Sequence, residues 1–551
     1  MTTSSRILWG MTLAMSGAGA LMLAVFLGPR HDLPVMPRPA TDKDVLRVAH
    51  VQPVWPDPHR WGFPLPTQNQ FVLCLWEPLI ECDPETGQPQ PAAAEGWRWS
   101  DDRRALTIAL RRDGRWSNGE PVTARDFVRA WRRLLLQDGG QAAVLFPVEN
   151  AEKFHREKGA DGGSLGLEVV DDFTLRIKLG AVRSTFVAEL ADPLLSPLHE
   201  STEKVLKEER YRREPATLVT NGAFCLERAK AGSFRLKTNV HYHGRSTVRL
   251  AGVEYICADN FRMARLLVAA GRADLMAPIP AGSPTAVPTR RCLTEESEMA
   301  MVITAMDLNV TRGPLRDPRV RRALALAMDR AGSIRKDDAD RLVPAYAWVP
   351  DMPGRPRLSL LKENADEARR LLAEAGYPGG RNFPVLIMPM SARDANYGYW
   401  QAWTERWFRE LGIRTYLAFQ TEEERKRGMK TGDYDVYPSG LIATVPDAGD
   451  MLGVFAFPET FSGTRWINPE MKRLLAEANN TTGLERLQRL EQIERQAMEA
   501  VPTIPMMFER RRTLLSVEVE GWYADPLGRQ ALKRLALRPL ENGEPARPNA
   551  L

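Results

Sequence analysis

One short motif in this chain has residues suited to nucleophilic catalysis. The run Gly162-Gly163-Ser164-Leu165-Gly166 fits the pattern G-x-S-x-G, in which a serine projects from a sharp turn between a strand and a helix. Here a polar stretch, residues 157–161, precedes the motif and a strand-like run follows it. Because the strand–turn–helix context is missing, the motif does not predict catalysis. The sequence also contains no phosphate-binding loop, H-E-x-x-H motif or dinucleotide fingerprint.

Histidines, which could bind a metal, are scattered along the chain. His241 and His243 flank Tyr242, and two imidazoles at this spacing could face one ion. No carboxylate or cysteine lies near them in the sequence, so a surface turn before Gly244 is the favoured interpretation. We therefore expect no metal site, no cofactor and no enzymatic activity.

The five cysteines include no C-x-x-C pair, which argues against a zinc ribbon or a thioredoxin-like motif. Cys225 and Cys257 both lie in strand-like runs and are candidates for a disulfide. The alternative, slightly favoured, is that every cysteine is a small buried apolar side chain. The five are Cys74, Cys82, Cys225, Cys257 and Cys292.

The composition is that of a soluble globular protein with nearly balanced charge. The 551 residues include 75 Lys and Arg against 70 Asp and Glu, for a net charge of +5. Such a length predicts two or three compact lobes rather than one domain. Nucleic-acid-binding proteins usually collect basic residues on one face, and no long basic block is present, so nucleic acid is not an expected partner. The run Arg510-Arg511-Arg512 is interpreted as solvated surface.

The first 44 residues differ from the rest. Ile7–Gly28 is an uncharged apolar run long enough to cross a bilayer as a helix, which takes about 20 residues. Arg6 precedes it, which predicts that everything after Gly28 lies on the extracytoplasmic, periplasmic side. Residues 1–28 are thus a membrane anchor or, alternatively, a signal peptide cut near Ala18-Gly19-Ala20. Residues 29–44 are rich in proline and predict a stiff tether.

Beyond residue 44, strand-like and helix-like patterns alternate, which is typical of α/β proteins. Ala105–Leu110 has the alternation of a strand. Thr123 is a suitable N-cap for a helix over Ala124–Leu136. Tryptophans at spacings of three and four predict the buried face of another helix, which ends near Gly412. They are Trp400, Trp403 and Trp407.

Several segments together resemble a known protein family. Residues 94–127 read AEGWRWSDDRRALTIALRRDGRWSNGEPVTARDF, which resembles the signature region of the family 5 extracellular solute-binding proteins of peptide and nickel ABC importers. Residues 46–58, with Asp57-Pro58, are similar to the first strand and Asp-Pro loop of that family. Residues 167–179 resemble a strand pair of its oligopeptide-binding branch. Residues 314–330, PLRDPRVRRALALAMDR, are close to a second family signature.

The resemblance extends over about residues 45–540 and implies a three-lobed, periplasmic-binding-protein-like clamp of the class II type with mixed sheets. One N-terminal transmembrane or signal helix would precede it. Lobe I would be discontinuous, lobe II continuous, and lobe III would close on lobe I by a hinge motion. The implied boundaries are 45–77, 201–300 and 516–551 (with the C-terminal tail) for lobe I, 78–200 for lobe II and 301–515 for lobe III.

The resemblance further implies a monomeric receptor that captures peptides and delivers them to the membrane subunits of an ABC importer. The likeness to the oligopeptide-binding branch favours oligopeptides. Relatives of this branch bind the peptide backbone by strand addition, which tolerates varied side chains. Two alternatives stay open. The same scaffold could hold an oligosaccharide, a siderophore or a metal chelate, or the chain could be a membrane-anchored sensor without an importer.

In the peptide-binding relatives, a Gly-Trp-x-x-Asp-Tyr-x-Asp-Pro stretch supplies an aspartate for the free amine of the ligand. The corresponding stretch here is 440–448, where Leu441 replaces the tryptophan and Thr444 replaces the aspartate. A hydroxyl does not balance the charge of an ammonium. Either Asp447 or Asp450 substitutes, or the ligand lacks a free amine, or the receptor is divergent. The predicted ligand-binding residues are Gly440, Leu441, Ile442, Thr444 and Asp447, with Gly62 and Phe63 from the loop 53–66.

Overall fold

The structure is a computed structural model. It describes residues 43–51, 54–60, 66–83, 86–138, 140–159, 164–230, 232–276, 293–352, 354–392, 394, 396–457, 463–523 and 525–538. The predicted anchor and tether, Gly62, Phe63 and Cys292 lie outside these residues. In the part of the chain that the structure describes, no helix combines the length and apolar character needed to cross a membrane.

Strands and helices alternate along the described chain, as the sequence predicts. The strands are β1 Val45–His50, β2 Ile80–Cys82, β3 Pro89–Pro91, β4 Ala94–Trp99, β5 Ala105–Leu110, β6 Leu167–Asp171, β7 Thr174–Lys178, β8 Phe224–Lys230, β9 Ser233–Thr238, β10 Gly252–Cys257, β11 Leu275–Met276, β12 Leu293–Leu308, β13 Leu342–Pro344, β14 Leu386–Met390, β15 Thr415–Phe419, β16 Val436–Ile442, β17 Thr503–Ser516, β18 Val519–Glu520 and β19 Ala536–Leu537.

The helices are connected by loops and short 3-10 turns. They are α1 Pro66–Leu75, α2 Ala124–Leu136, α3 Ala151–Arg156, α4 Phe186–Glu189, α5 Thr202–Lys207, α6 Phe261–Ala269, α7 Pro318–Leu326, α8 Arg330–Ser333, α9 Ala365–Glu374, α10 Tyr397–Leu411, α11 Glu422–Thr431, α12 Ala448–Ala456, α13 Pro469–Asn480 and α14 Gly483–Ala500.

One large mixed sheet runs through the described molecule. Its strand order is β16-β12-β17-β11-β1-β10-β9-β8, and β13 also pairs with β17. The central strand β1 is parallel to both β10 and β11, whereas the other pairs of this sheet are antiparallel. A separate antiparallel sheet has the order β4-β5-β7-β6. The predicted α/β class with mixed sheets is therefore confirmed.

Buried apolar side chains form two large cores, which divide the described chain into two units. The first unit packs around Trp76, Phe127 and Trp131, and the second around Trp348 and Trp403. A small third cluster packs α6 against β1 and β11.

Strand β17 passes from one core to the other. Ile504 and Phe508, near its start, belong to the second core, while Leu515, near its end, belongs to the first. It pairs with β12 along most of its length, and the register shifts between Met299 and Ile303 and again at Thr304. The two units are thus joined by a long antiparallel pair that is irregular near its middle.

Local sequence signals account for the helices that shape both cores. Thr123 and Asp126 form a reciprocal capping box at the start of α2, which satisfies backbone N–H groups that have no partner within the helix. Trp400, Trp403 and Trp407 lie buried on one face of α10. That helix ends at Gly412, whose φ of 71° lies in the left-handed region that glycine adopts without strain. The capping and the aromatic stripe confirm the sequence predictions.

The disulfide hypothesis for Cys225 and Cys257 is wrong. Cys225 pairs with Lys237 of β9, beside Gly252 at the start of β10, whereas Cys257 lies at the opposite end of β10. Both are free thiols, as are Cys74 and Cys82. The alternative, that all cysteines are buried, is also wrong for Cys257, which is exposed.

Arg510-Arg511-Arg512 is not simply solvated surface. Arg510 is exposed, but Arg511 donates to the carbonyl oxygen of Pro526 at 2.8 Å. Arg512 is buried and forms an ion pair with Asp340. Side chains of this stretch of β17 thus anchor two loops to the strand.

In the predicted surface turn at 241–243, His241 is exposed, but Tyr242 and His243 belong to a buried polar network around Glu77. The Tyr242 hydroxyl donates to Glu77 Oε1 at 2.5 Å, and His243 Nε2 lies 2.7 Å from Glu77 Oε2. Lys533, from the C-terminal segment, donates to Glu77 at 2.9 Å. Burial raises the pKa of Glu77, but Lys533, His243 and Tyr242 outweigh it and lower the pKa to about 2. The C-terminal segment is therefore bound to the first unit by a buried ion pair.

Removing the cation from this network should destabilise the first unit. In the Lys533→Met variant the Glu77 carboxylate stays buried without its main counter-ion, and breaking such a pair costs about 3–5 kcal/mol. We expect a loss of this size in the free energy of unfolding at pH 7, measured by urea denaturation. Lys237→Met, at an exposed position of β9, is the control and should change stability by less than about 0.5 kcal/mol. Equal effects of the two variants would contradict the assignment.

Candidate functional site

The predicted ligand-binding residues Gly440, Leu441 and Ile442 form the end of β16. They pair with Thr304, Ile303 and Val302 of β12. Among the described strands, β16 pairs with no other, so it is an edge of the large sheet. Gly440 is exposed, and its neighbours Leu441 and Ile442 are half-buried.

A glycine is required at position 440. A Cβ atom there would lie 2.5 Å from the carbonyl oxygen of Ile303, closer than a side chain tolerates. The close approach of β16 to β12 occurs where the register between β12 and β17 shifts. This edge therefore presents bare backbone to its surroundings.

Asp447, another predicted binding residue, already accepts hydrogen bonds from groups of the protein itself. Its Oδ1 accepts from the backbone N–H of Gly449 at 2.7 Å, which caps the N-terminus of α12. Both carboxylate oxygens also accept from the guanidinium of Arg486, at 2.7 and 2.9 Å. A bidentate arginine pair and a cap use most of the acceptor capacity of a carboxylate. Asp447 thus has little acceptor capacity left for an amine.

Thr444 and Asp450 bind each other. The backbone N–H of Thr444 donates to Asp450 Oδ2 at 2.6 Å, and its hydroxyl donates to Oδ1 at 3.0 Å. The N–H of Val445 adds a longer contact of 3.3 Å. Burial raises the pKa of the Asp450 carboxyl, although the bonds from Thr444 oppose the shift. Position 444 thus carries a threonine where the peptide-binding relatives have an aspartate. The carboxylate of Asp450, from the first turn of α12, lies beside it.

The first unit meets this loop through the segment that begins at Arg183. Arg183 Nε donates to Glu189 Oε1 at 2.5 Å, and its Nη2 lies 3.7 Å from Asp450 Oδ1 of the second unit. The neighbouring Ser184 hydroxyl donates to Asn479 of α13 at 3.0 Å. The two units thus touch through polar and charged side chains at this point.

The loop that carries Asp57 is fastened to α2. Asp57 accepts two bonds from the guanidinium of Arg133, at 2.9 and 2.7 Å. Arg133 also donates to His59 Nδ1 at 2.9 Å, so that His59 Nε2–H donates to the carbonyl oxygen of Leu194 at 3.0 Å. Burial, together with the charge of Arg133, lowers the pKa of His59 from 6.5 to about 4. Gly62 and Phe63, predicted to line the cleft from this loop, lie outside the described residues.

Sequence reasoning missed Arg183 and Glu189 altogether and named Asp450 only as an alternative. Arg183 and Asp450 are far apart in the chain, and no local pattern connects them. A weak signal exists, because Glu189 and Asp192 are the charged residues in the largely apolar run 186–198. No group of three or more potential metal-binding side chains occurs within the described ranges.

Comparison with known proteins defines the class of this molecule. The chain belongs to the bacterial extracellular solute-binding proteins, family 5, whose model matches residues 88–463. The fold is similar to that of the murein tripeptide-binding protein MppA in its unliganded open form, with a TM-score of 0.74 and 24% identity over 90% of this chain and 98% of that one. These findings establish a periplasmic-binding-protein-like fold.

Two individual relatives illustrate the range of the family. The dipeptide-binding protein DppE of Bacillus subtilis is 25% identical over 81% of this chain and 83% of its own length. The probable deoxycholate-binding periplasmic protein YgiS of Escherichia coli is 27% identical over 83% of this chain and 86% of its own. Similar overall likeness thus occurs with proteins named for chemically different solutes.

The neutral His59 makes stability depend on pH. Its pKa is depressed in the folded chain, so its contribution is complete above pH 6.5 and is lost as the pH falls toward 4. We expect the free energy of unfolding to fall by up to about 1.4 kcal/mol per pH unit in this window because of this group. His59→Gln should flatten the dependence in urea titrations at pH 7, 6 and 5, while His241→Gln should not. An unchanged slope in His59→Gln would show that another group titrates.

Proposed function

We propose that the protein is a receptor that captures peptides on the extracytoplasmic side and delivers them to an ABC importer, without enzymatic activity. The observation that carries this proposal is the open edge of β16, where Gly440–Ile442 present exposed or half-exposed backbone beside a contact between the two units. An extended peptide can add to such an edge through main-chain hydrogen bonds.

The relatives support a peptide ligand. Their names include a dipeptide-binding protein, DppE of Bacillus subtilis, and the periplasmic oligopeptide-binding protein OppA of Escherichia coli. A solved structure similar to this chain is that of Haemophilus influenzae OppA in complex with the peptide RPPGFSPFR. Backbone recognition at an edge strand explains how such proteins accept varied side chains.

The clamp mechanism is part of the same proposal. Lobes I and II would correspond to the first unit and lobe III to most of the second, with β12 and β17 as the hinge. A strand pair is a suitable hinge because a register shift allows bending while ladder bonds on either side are kept. We further propose that the receptor acts as a monomer held at the cytoplasmic membrane by residues 7–28, with Gly62 and Phe63 among the groups that line the cleft.

A second candidate function is binding of a non-peptide solute on the same scaffold. Two observations favour it as the alternative. Asp447 already accepts three hydrogen bonds and Thr444 carries no charge, so the loop after β16 offers little free carboxylate capacity to an amine. In addition, the relative YgiS is named as probably deoxycholate-binding.

Native mass spectrometry of the protein purified from its own membrane fraction distinguishes these functions. A ladder of co-purifying peptide masses is expected for a peptide receptor, since backbone recognition selects no single sequence. One discrete non-peptide mass would favour the second candidate. Protein without any bound mass, even after incubation with a peptide library, would contradict both transport functions.

Strand addition makes a sharper prediction with modified peptides. Along an extended peptide, successive N–H groups point in opposite directions, so only every second one can bond with the β16 edge. N-methylation at one set of alternate residues should therefore weaken binding roughly tenfold or more per site. Methylation at the other set should have little effect. Calorimetric titration of the two series checks this, and equal losses in both series would rule out an edge-strand mode.

A further inference from the structure

The carboxylates of the loop after β16 have little capacity left for a solute. An ionised carboxylate has about four acceptor positions. Asp450 accepts three donors from Thr444 and Val445. Asp447 accepts three from Gly449 and Arg486. The remaining position on Asp450 faces Arg183, whose Nη2 is 3.7 Å from Oδ1.

Arg183, in contrast, has N–H groups that bond to no acceptor among the described residues. A guanidinium has five N–H groups, and among the described residues only its Nε donates a hydrogen bond, to Glu189. The 3.7 Å separation from Asp450 is an ion-pair distance but too long for a hydrogen bond. One third of the Arg183 side chain remains exposed, whereas Glu189 behind it is 3% exposed. The group that faces the space between the units is therefore the cation.

The neighbouring acidic side chains, Glu189 and Asp192, do not change which group faces the space between the units. Glu189 accepts from both Arg183 and the Thr185 hydroxyl, each at 2.5 Å, and is covered by them. Asp192 caps the turn after α4 by accepting from the N–H of Leu194 at 2.9 Å. Burial raises the pKa of both carboxyls.

We propose that Arg183 is the built-in counter-ion of Asp450 and determines specificity at this end of the cleft, where it selects a solute that presents a carboxylate or carbonyl oxygen and not an ammonium. An arginine with free N–H groups binds a carboxylate through two parallel bonds. An ammonium at the same place would meet a cation and find carboxylates that are already occupied. The solute preference rests on the proposed transport function, but the pairing of Arg183 with Asp450 does not.

The pairing is tested without any ligand. Thermal unfolding is measured for the natural protein, Arg183→Gln, Asp450→Asn and the double variant. We expect Arg183→Gln to lower the melting temperature, in part through loss of its bond to Glu189. The double variant should lose less than the sum of the single variants, because removing Asp450 also removes the charge that Arg183→Gln leaves unpaired across the units. Arg176→Gln, an exposed arginine of β7 in the same unit, should combine additively with Asp450→Asn. Strict additivity of Arg183→Gln with Asp450→Asn would overturn the pairing.

The solute preference is tested with three forms of one peptide, trialanine with a free amine, an N-acetyl cap or an N-succinyl cap. The succinyl cap places a carboxylate at the N-terminal end. In calorimetric titrations the natural protein should bind the succinyl form at least about tenfold more tightly than the free amine, with the acetyl form between them. Arg183→Gln should remove or reverse this order, and Arg176→Gln should preserve it. A preference for the free amine that Arg183→Gln leaves unchanged would overturn the proposal.

If the protein does not bind peptides, these two experiments give a different combination of results. In that case none of the three peptides binds the natural protein, although the pairing of Arg183 with Asp450 is still measurable. The preference is then tested with deoxycholate and its uncharged methyl ester. Stabilisation by the acid over the ester that disappears in Arg183→Gln would support the role of Arg183 for a non-peptide solute. No difference between acid and ester in any variant would overturn it.

Discussion

The pairing of β12 with β17 is the constraint on which the rest of the structure depends. These two strands carry the large sheet from one apolar core to the other, so neither unit can be positioned without them. Main-chain hydrogen bonds fix the strands in length and direction but allow the twist to change where the register shifts. The same pair places β16 on its outer side, which brings the loop with Thr444 and Asp450 opposite Arg183. Sheet continuity thus creates both the connection between the units and their contact at this loop.

Elements whose signals are local were predictable from the sequence. The helix α2 could be found because Thr123 caps it and its apolar residues repeat at helical spacing. The helix α10 could be found from its tryptophans and from Gly412. The strands β12 and β17 gave no comparable pattern. A strand that leaves one core, crosses between units and enters another does not alternate between a buried and an exposed face, and β17 also contains Pro505 and three arginines.

The loop after β16 was identified by its likeness to the family, but its charge pairing was not predicted. Position 444 could be identified as a lost charge, whereas the replacement carboxylate and its partner depend on tertiary contacts. The hydrogen bonds of Asp447 depend on Arg486, which lies on α14, and could not be read from the sequence. Arg183 was assigned no role because one of its two partners, Asp450, lies far away in the chain and in the other unit. Buried charge pairs that join distant segments produce no periodic pattern in the sequence. The ion pair of Glu77 with Lys533 of the C-terminal segment is another such pair.

The proline of β16 gives the open edge a second property. Pro438 pairs with Met306 but has no N–H, so it can offer no donor on the outer side. Continuous exposed edges allow chains to pair with copies of themselves, and a proline is one of the residues that interrupts such pairing. With Pro438 on one side and the turn into α12 on the other, the bare backbone is confined to about one short segment. A single bound strand can use this segment, while an extended ladder of the kind that leads to aggregation has no room to grow.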